Sequence, residues 1–282
     1  MTADFSPADF KGLTLGKKLG AGSFGTVYVG LLTSGRYVAV KQLDVEGSAI
    51  DEVNTEVEVH KRLQHPNIIR YLHSTIDKTT DPSAPKLLVF LEYVTGGSLT
   101  AIMKTLPGGH LPLPVIKVYA RHLFQGLYYL HSNGVAHRDI KGENILVSQD
   151  TGIAKLADFD QAKVVVGTLR TGAGPSKTLA GTPYWIAPEV LTQEEGYDPM
   201  KADIWSAGCT VGEMFTGKAP WIPMSNPMGI MYKLANSQGW PDALPKAEMP
   251  EDLQNFLDCC FDRDPTKRSD CVTLLEHPFL KI

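Results

Sequence analysis

Cysteine is scarce. Only Cys209, Cys259, Cys260 and Cys271 occur in 282 residues, all in the last third. An adjacent Cys259-Cys260 with wide gaps elsewhere fits neither a zinc-ligand spacing nor a disulfide framework, so reduced thiols of a cytoplasmic protein are expected. No apolar run approaches the length of a membrane span, and Met1-Thr2-Ala3-Asp4-Phe5 lacks the basic-then-apolar pattern of a signal peptide. Membrane insertion is therefore not expected. Charge of one sign is also missing in bulk: 27 Lys and Arg face 31 Asp and Glu, without a long block of either. That argues against a nucleic-acid or membrane-surface binder, whose contact face is basic. Internal repeats and low-complexity tracts are absent too. What is present is 43% hydrophobic residues, enough to bury the core of one large domain or two small ones.

Along the chain, residues 1–12 read as a short, loose lead-in. Strand alternation begins at Leu13 and Leu15. It continues past Gly20-Ala21-Gly22-Ser23-Phe24-Gly25 into Val27-Tyr28-Val29, and again through Tyr37-Val38-Ala39-Val40-Lys41-Gln42-Leu43. A dinucleotide fingerprint would open a helix with its glycines, but here β-branched and aromatic residues follow. The pattern favours a glycine flap over nucleotide phosphates, with a plain hairpin turn as the alternative. Lys41, sixteen residues past Gly25, tips the balance toward the flap. Residues 49–64 predict a helix stopped by Pro66, residues 68–72 a strand, 74–86 a mobile turn, and 87–91 a strand. Glu92-Tyr93-Val94-Thr95-Gly96-Gly97 suits a hinge. Helical periodicity then dominates, at 98–106, 113–132, 200–216, 227–236, 250–261 and 269–276. A Gly-, Thr- and Ser-rich loop spans 161–181.

The chemistry concentrates in His137-Arg138-Asp139-Ile140-Lys141-Gly142-Glu143-Asn144, between an amphipathic helix and the apolar strand Ile145-Leu146-Val147. Asp139 can accept a proton from a hydroxyl. Lys141 can neutralise a transferring phosphoryl group, and Asn144 offers an amide oxygen to a hard cation. A solvated loop is the plain alternative, and the offsets of Lys141 and Asn144 argue against it.

Together these motifs resemble the protein-kinase family over about residues 13–280. They are Gly20 to Gly25 with Val27, Val38-Ala39-Val40-Lys41, Glu56 before His65-Pro66-Asn67, His137-Arg138-Asp139 with Asn144, Asp158-Phe159, Ala187-Pro188-Glu189, Asp203-Ile204-Trp205-Ser206-Ala207-Gly208, and Arg268. Ile140-Lys141-Gly142-Glu143-Asn144, Gly181-Thr182-Pro183-Tyr184-Trp185 and His277-Pro278-Phe279 resemble the sterile-type serine/threonine branch, particularly MAP-kinase-kinase-kinases. The resemblance implies an α+β, two-lobed fold. Residues 13–93 would form a small, mainly antiparallel β lobe with one key helix, and 94–282 a larger helical lobe. It implies ATP and Mg²⁺, with Mn²⁺ as a substitute. It also implies a protein substrate such as a MAP-kinase-kinase, and switching by an upstream kinase or by autophosphorylation.

The roles follow by position. Gly20, Gly22 and Gly25 would cover the phosphates, and Lys41, steadied by Glu56, would hold them. Leu19, Val27, Ala39 and Leu146 would enclose adenine, Leu91 would be the gatekeeper, and backbone groups of Glu92 and Val94 would bind the adenine edge. Asp139 would deprotonate the substrate hydroxyl, Lys141 would stabilise the moving phosphoryl, and Asn144 and Asp158 would hold the metal. Thr178 would be the activating phosphosite, met by Arg138 and Lys163, with Thr168, Thr171 and Ser176 as lesser candidates. Thr182 would contact Asp139 and Lys141, and Glu189 and Arg268 would form a buried structural pair. Glu143 would favour a basic residue upstream of the target hydroxyl. Two positions depart from the family pattern. Asp160 replaces the glycine of Asp-Phe-Gly, removing cheap access to positive φ and adding a carboxylate beside the metal site. His60 replaces an apolar residue. These two support the rival reading, a catalytically weak pseudokinase scaffold. A small-molecule kinase is a third reading, disfavoured by the peptide platform of Gly181 to Glu189.

Overall fold

Period-two alternation builds the first unit. Strands β1 (Thr14–Gly22), β2 (Gly25–Leu31), β3 (Tyr37–Asp44), β4 (Tyr71–Asp77) and β5 (Lys86–Glu92) form one antiparallel sheet in the order β1-β2-β3-β5-β4. The computed structural model describes residues 5–22, 25–44, 57–77, 85–165, 183–192, 196–223 and 227–281. One face of the sheet carries Leu43, Leu87 and Val89, packed with Val57 from a helical stretch at 57–61. The other carries Val38, Val40, Leu88 and Phe90, covered by Leu32 and Phe10. Alternate side chains of one strand must point to opposite faces, so β3 and β5 each supply both cores.

Three segments differ from expectation. The lead-in is docked from residue 5 onward. Phe10 is buried in the core, with its ring 4.7 Å from both His73 and Phe90. Two phenylalanines five residues apart carry no strand or helix period, so the sequence gives no sign of the sheet face they fill. Strand β4 runs from Tyr71 to Asp77, so it begins later than 68–72 and occupies part of the segment read as a turn. It is an edge strand, paired only with β5, and an edge tolerates the polar His73, Ser74 and Thr75 that obscured it. The helical stretch stops at 61 rather than 64. The Arg62 and Leu63 N–H groups donate to the carbonyls of Val59 and His60 at 3.2 and 3.1 Å, a tightened final turn. Residues 49–56 of the expected helix lie outside the described residues.

The chain divides into Met1–Thr95 and Gly96–Ile282. The second unit contains α1 (Leu99–Thr105), α2 (Leu113–Ser132), β6 (Val135–Ala136), β7 (Ile145–Val147), β8 (Ala154–Leu156), β9 (Lys163–Val164), α3 (Pro188–Thr192), α4 (Pro199–Thr216), α5 (Pro227–Asn236), α6 (Glu251–Cys260) and α7 (Cys271–Leu275). Helix boundaries fall where caps allow. Ser98 accepts from the Ala101 N–H at 3.2 Å, and Asp198 accepts from the Met200 N–H at 2.9 Å. Asp270 accepts from the Thr273 N–H at 2.8 Å. The stripe expected on α2 is buried at Ile116, Ala120, Leu123, Leu127 and Leu130, while Tyr119 is only half-buried. Helix α4 is buried on nearly every side from Ala202 to Met214 and forms the axis of this unit.

Candidate active site

The loop from His137 to Asn144 joins β6 to β7, and α4 holds it from behind. Asp203 of α4 accepts the backbone N–H of His137 at 2.8 Å and that of Arg138 at 2.7 Å. It also pairs with the His131 ring at 3.0 Å, and only 1% of its surface is exposed. These bonds hold Arg138 at φ 69°, a left-handed conformation that an L side chain adopts at a cost of about 1–2 kcal/mol. His137 is fully buried. Its Nε2–H donates to the Ala157 carbonyl at 3.0 Å and its Nδ1 accepts the Asp139 N–H at 3.3 Å. One imidazole thus fixes both the catalytic loop and the segment leading to Asp158.

Three of the expected residues converge. The Lys141 ammonium donates to Asp139 Oδ2 at 2.9 Å, and the Asn144 amide donates to the same oxygen at 2.7 Å and to the Asp139 carbonyl at 2.9 Å. Asp139 and Lys141 are about 85% removed from solvent, with side-chain exposures of 15% and 14%. Two donors on one carboxylate oxygen leave Oδ1 as the face for an incoming hydroxyl. With its NH₂ committed to Asp139, the Asn144 amide presents its oxygen on the opposite side. The Asn144 carbonyl accepts the Ala157 N–H at 2.9 Å, tying it to the residue before Asp158. Asp158 is exposed, at φ 63°. No group of three or more His, Cys, Asp or Glu side chains among the described residues could hold a metal ion by itself. One carboxylate and one amide oxygen fit an ion that takes most of its ligands from phosphates and water, as Mg²⁺ does.

Asp160 does not adopt the left-handed conformation: the only non-glycine residues at positive φ among those described are Arg138 and Asp158. The expected cost of losing glycine is therefore not incurred at position 160 in this conformation. His60 is satisfied locally, with its Nε2 2.7 Å from the Ile69 carbonyl and its ring 6.1 Å from that of Tyr71.

In the first unit, antiparallel register puts Val27 opposite Lys41 and Ala39 opposite Leu91, so these four side chains share the sheet face of Leu43 and Val89. Gly20 and Gly22 lie in β1, and Gly25 opens β2. A Cβ on Gly25 would sit 2.1 Å from the Gln42 carbonyl, so packing of β3 demands this glycine, whereas a Cβ on Gly20 would meet nothing within 4 Å. The Glu92 N–H donates to the Arg70 carbonyl at 3.0 Å, which leaves the expected adenine contact there to the Glu92 carbonyl. Val94 follows it in the connection to the second unit, Leu19 is exposed on β1, and Leu146 is half-buried on β7. Glu56, Thr178, Thr168, Thr171, Ser176 and Thr182 lie outside the described residues. Lys163 pairs through its backbone with Ala136, beside the catalytic loop.

The Glu189–Arg268 pair is present as expected: two parallel bonds of 2.5 and 2.9 Å, with side-chain exposures of 3% and 0%. Two residues that support the site escaped sequence reasoning. The sequence marks Asp203 only as part of a motif and does not mark Glu213. Glu213 accepts the Thr100 hydroxyl at 2.9 Å and the Gly142 N–H at 3.2 Å. A Cβ on Gly142 would stand 2.5 Å from the Thr100 hydroxyl, so only glycine permits that approach. Burial pushes the Glu213 carboxyl above its usual range, against the opposing effect of its donors. These are the only two charges between Ala202 and Met214, and a charge inside an apolar helix is the signal that would have found them.

A five-stranded antiparallel sheet followed by a helical unit that carries an Asp-Lys-Asn cluster defines the two-lobed protein kinase fold. The chain belongs to the protein kinase family: the model described as "Protein kinase domain" matches residues 13–280. It is similar to Mitogen-activated protein kinase kinase kinase A of Dictyostelium discoideum, 40% identical over 94% of this chain and 27% of that protein. It is likewise similar to Mitogen-activated protein kinase kinase kinase 3 of Arabidopsis thaliana, 40% identical over 98% of this chain and 44% of that protein. A third relative, Mitogen-activated protein kinase kinase kinase 19 of Mus musculus, is 41% identical over 95% of this chain and 20% of that protein. The chain thus spans less than half the length of these relatives.

Proposed function

We propose that this chain is a serine/threonine protein kinase domain acting in a MAP-kinase cascade in the cytoplasm, with a MAP-kinase-kinase as its protein substrate and Mg²⁺ as its metal. The observation that carries the reading is the pair of donors on one oxygen of Asp139. Lys141 and Asn144 orient the carboxylate, and its second oxygen takes the proton of an acceptor hydroxyl. Lys141, beside the acceptor, offsets charge on the moving phosphoryl. Lys41 binds nucleotide phosphates from β3, with Glu56 as its partner. Asn144 and Asp158 hold the metal, which would supply charge neutralisation of the phosphates when bound. The names of the relatives support the cascade, and the four free cysteines support a reducing compartment. Activation runs through phosphate on Thr178 meeting Arg138 and Lys163, placed by an upstream kinase or by the chain itself.

Transfer of labelled phosphate from Mg-ATP to a generic basic protein tests the reading beside Asp139→Asn. The variant is expected to lose about 10²- to 10⁴-fold in kcat. Equal labelling by the two chains would remove the enzyme and leave the scaffold.

A further inference from the structure

The segment before the kinase fold is held by contacts that a single covalent change would oppose. Two Ser-Pro or Thr-Pro steps occur in the chain, Ser6-Pro7 and Thr182-Pro183. Ser6 is exposed and extended, at φ −95° and ψ 155°, as proline requires of the residue before it. Its N–H and its hydroxyl both donate to one carboxylate oxygen of Asp9, at 2.6 and 3.0 Å. The same Asp9 oxygen lies 3.4 Å from the Arg36 guanidinium, and that guanidinium lies 3.6 Å from the centre of the Phe5 ring. Phe5 stacks on Phe10 at 5.5 Å, and Phe10 reaches His73 and Phe90 in the core. Ser6, Asp9 and Arg36 therefore latch two aromatic rings onto the sheet face of Val38, Val40 and Phe90. The Ser6 amide, then its hydroxyl and then Arg36 hold the Asp9 carboxyl below its ordinary value, so the latch is charged at neutral pH.

We propose that Ser6 is a phosphorylation site for a proline-directed protein kinase, and that phosphate there releases residues 5–11 from the sheet. In the transfer, Ser6 Oγ forms a bond to the γ-phosphorus of ATP and the bond from that phosphorus to the β–γ bridging oxygen breaks. ADP leaves, and the hydroxyl proton passes to the acting kinase's base. The product replaces a donor hydroxyl with acceptor oxygens carrying nearly two negative charges, 3 Å from the carboxylate it served. The single positive charge of Arg36 cannot offset the Asp9 carboxylate and the phosphate together, so like-charge repulsion opposes the latch. The acting enzyme meets Ser6 in the lifted state of the strap, and the phosphate then biases the equilibrium toward that state. None of this depends on catalysis by the chain itself.

The test uses the full chain carrying Asp139→Asn, so that only the added proline-directed kinase transfers phosphate from Mg-ATP. Mass spectrometry is expected to find phosphate on Ser6, none at that position in Ser6→Ala, and little in Pro7→Ala. The Ser6-phosphorylated chain is expected to melt about 2–4 °C lower. Trypsin is expected to cut after the exposed Lys11 about five- to tenfold faster, because cleavage follows the open population. In Asp9→Asn the phosphate should shift the midpoint less. Label on Thr182 alone, or a Ser6-phosphorylated chain with unchanged midpoint and cleavage, or an equal shift in Asp9→Asn, would overturn the proposal.

Discussion

At the scale of single residues, the site depends on carboxylates that never meet substrate. Asp203 spends both oxygens on the backbone of His137 and Arg138, and this bonding offsets the left-handed turn at Arg138. Glu213, also buried, accepts the Gly142 N–H, and desolvation is the chief cause that raises its carboxyl. The pH consequence has a definite sign. A folded-state value above the unfolded one means that the native chain binds the extra proton. The stabilising contribution is complete below the unfolded value of about 4.3, and it is lost as pH climbs through the raised folded value. Glu213→Gln cannot titrate. The stability of wild type relative to this variant should therefore fall from about pH 4.5 upward and level off above the raised value, as read from urea midpoints across that range. A difference that grows with pH, or stays flat, would remove this account. Asp139, Lys141 and Asn144 were legible because their partners lie within five residues. Asp203 and Glu213 were not, because their partners lie 65 to 113 residues away in sequence.

At the scale of elements, periodicity read helices better than strands. Helix α2 shows its buried stripe, and α4 shows an apolar run opened by an Asp198 cap. Strand β4 hid behind polar residues because an edge strand buries little, and the docked strap hid because its two aromatic anchors obey no period. The link between α3 and the segment before α7 was legible as a charge pair, and its energetics can be tested. Arg268 also donates to the carbonyls of Asp262 and Lys201, at 2.9 and 2.7 Å. Arg268→Met leaves the Glu189 carboxylate buried without its partner, and a cost of about 3–5 kcal/mol is expected. The double variant Glu189→Leu with Arg268→Met removes that charge and should recover part of the loss, though not the two carbonyl bonds. Chemical denaturation of the single and double variants measures this. A double variant as unstable as the sum of the singles would mean that the pair is not the source of the cost.

At the scale of the whole molecule, binding of nucleotide must be read against two units that divide at Thr95–Gly96. A chain of this kind need not melt in one step, so each unit is best followed by its own signal. The four tryptophans, Trp185, Trp205, Trp221 and Trp240, all lie in Gly96–Ile282, so their fluorescence follows that unit alone, while far-UV circular dichroism follows both. The expected metal-holding residues, Asn144 and Asp158, both belong to Gly96–Ile282. A nucleotide held through metal by the second unit should raise the fluorescence transition of that unit. At a hundred times its Kd the gain is about 2.7 kcal/mol. Because one carboxylate and one amide oxygen make a weak site by themselves, Mg²⁺ without nucleotide should shift neither signal. Asp158→Asn should lose the metal-dependent part of the gain and keep whatever nucleotide alone provides, and chelation should make wild type behave as the variant does. If Asp158→Asn gains as much from Mg²⁺ with ATP as wild type does, Asp158 does not hold the metal, and the role assigned to its exposed carboxylate fails.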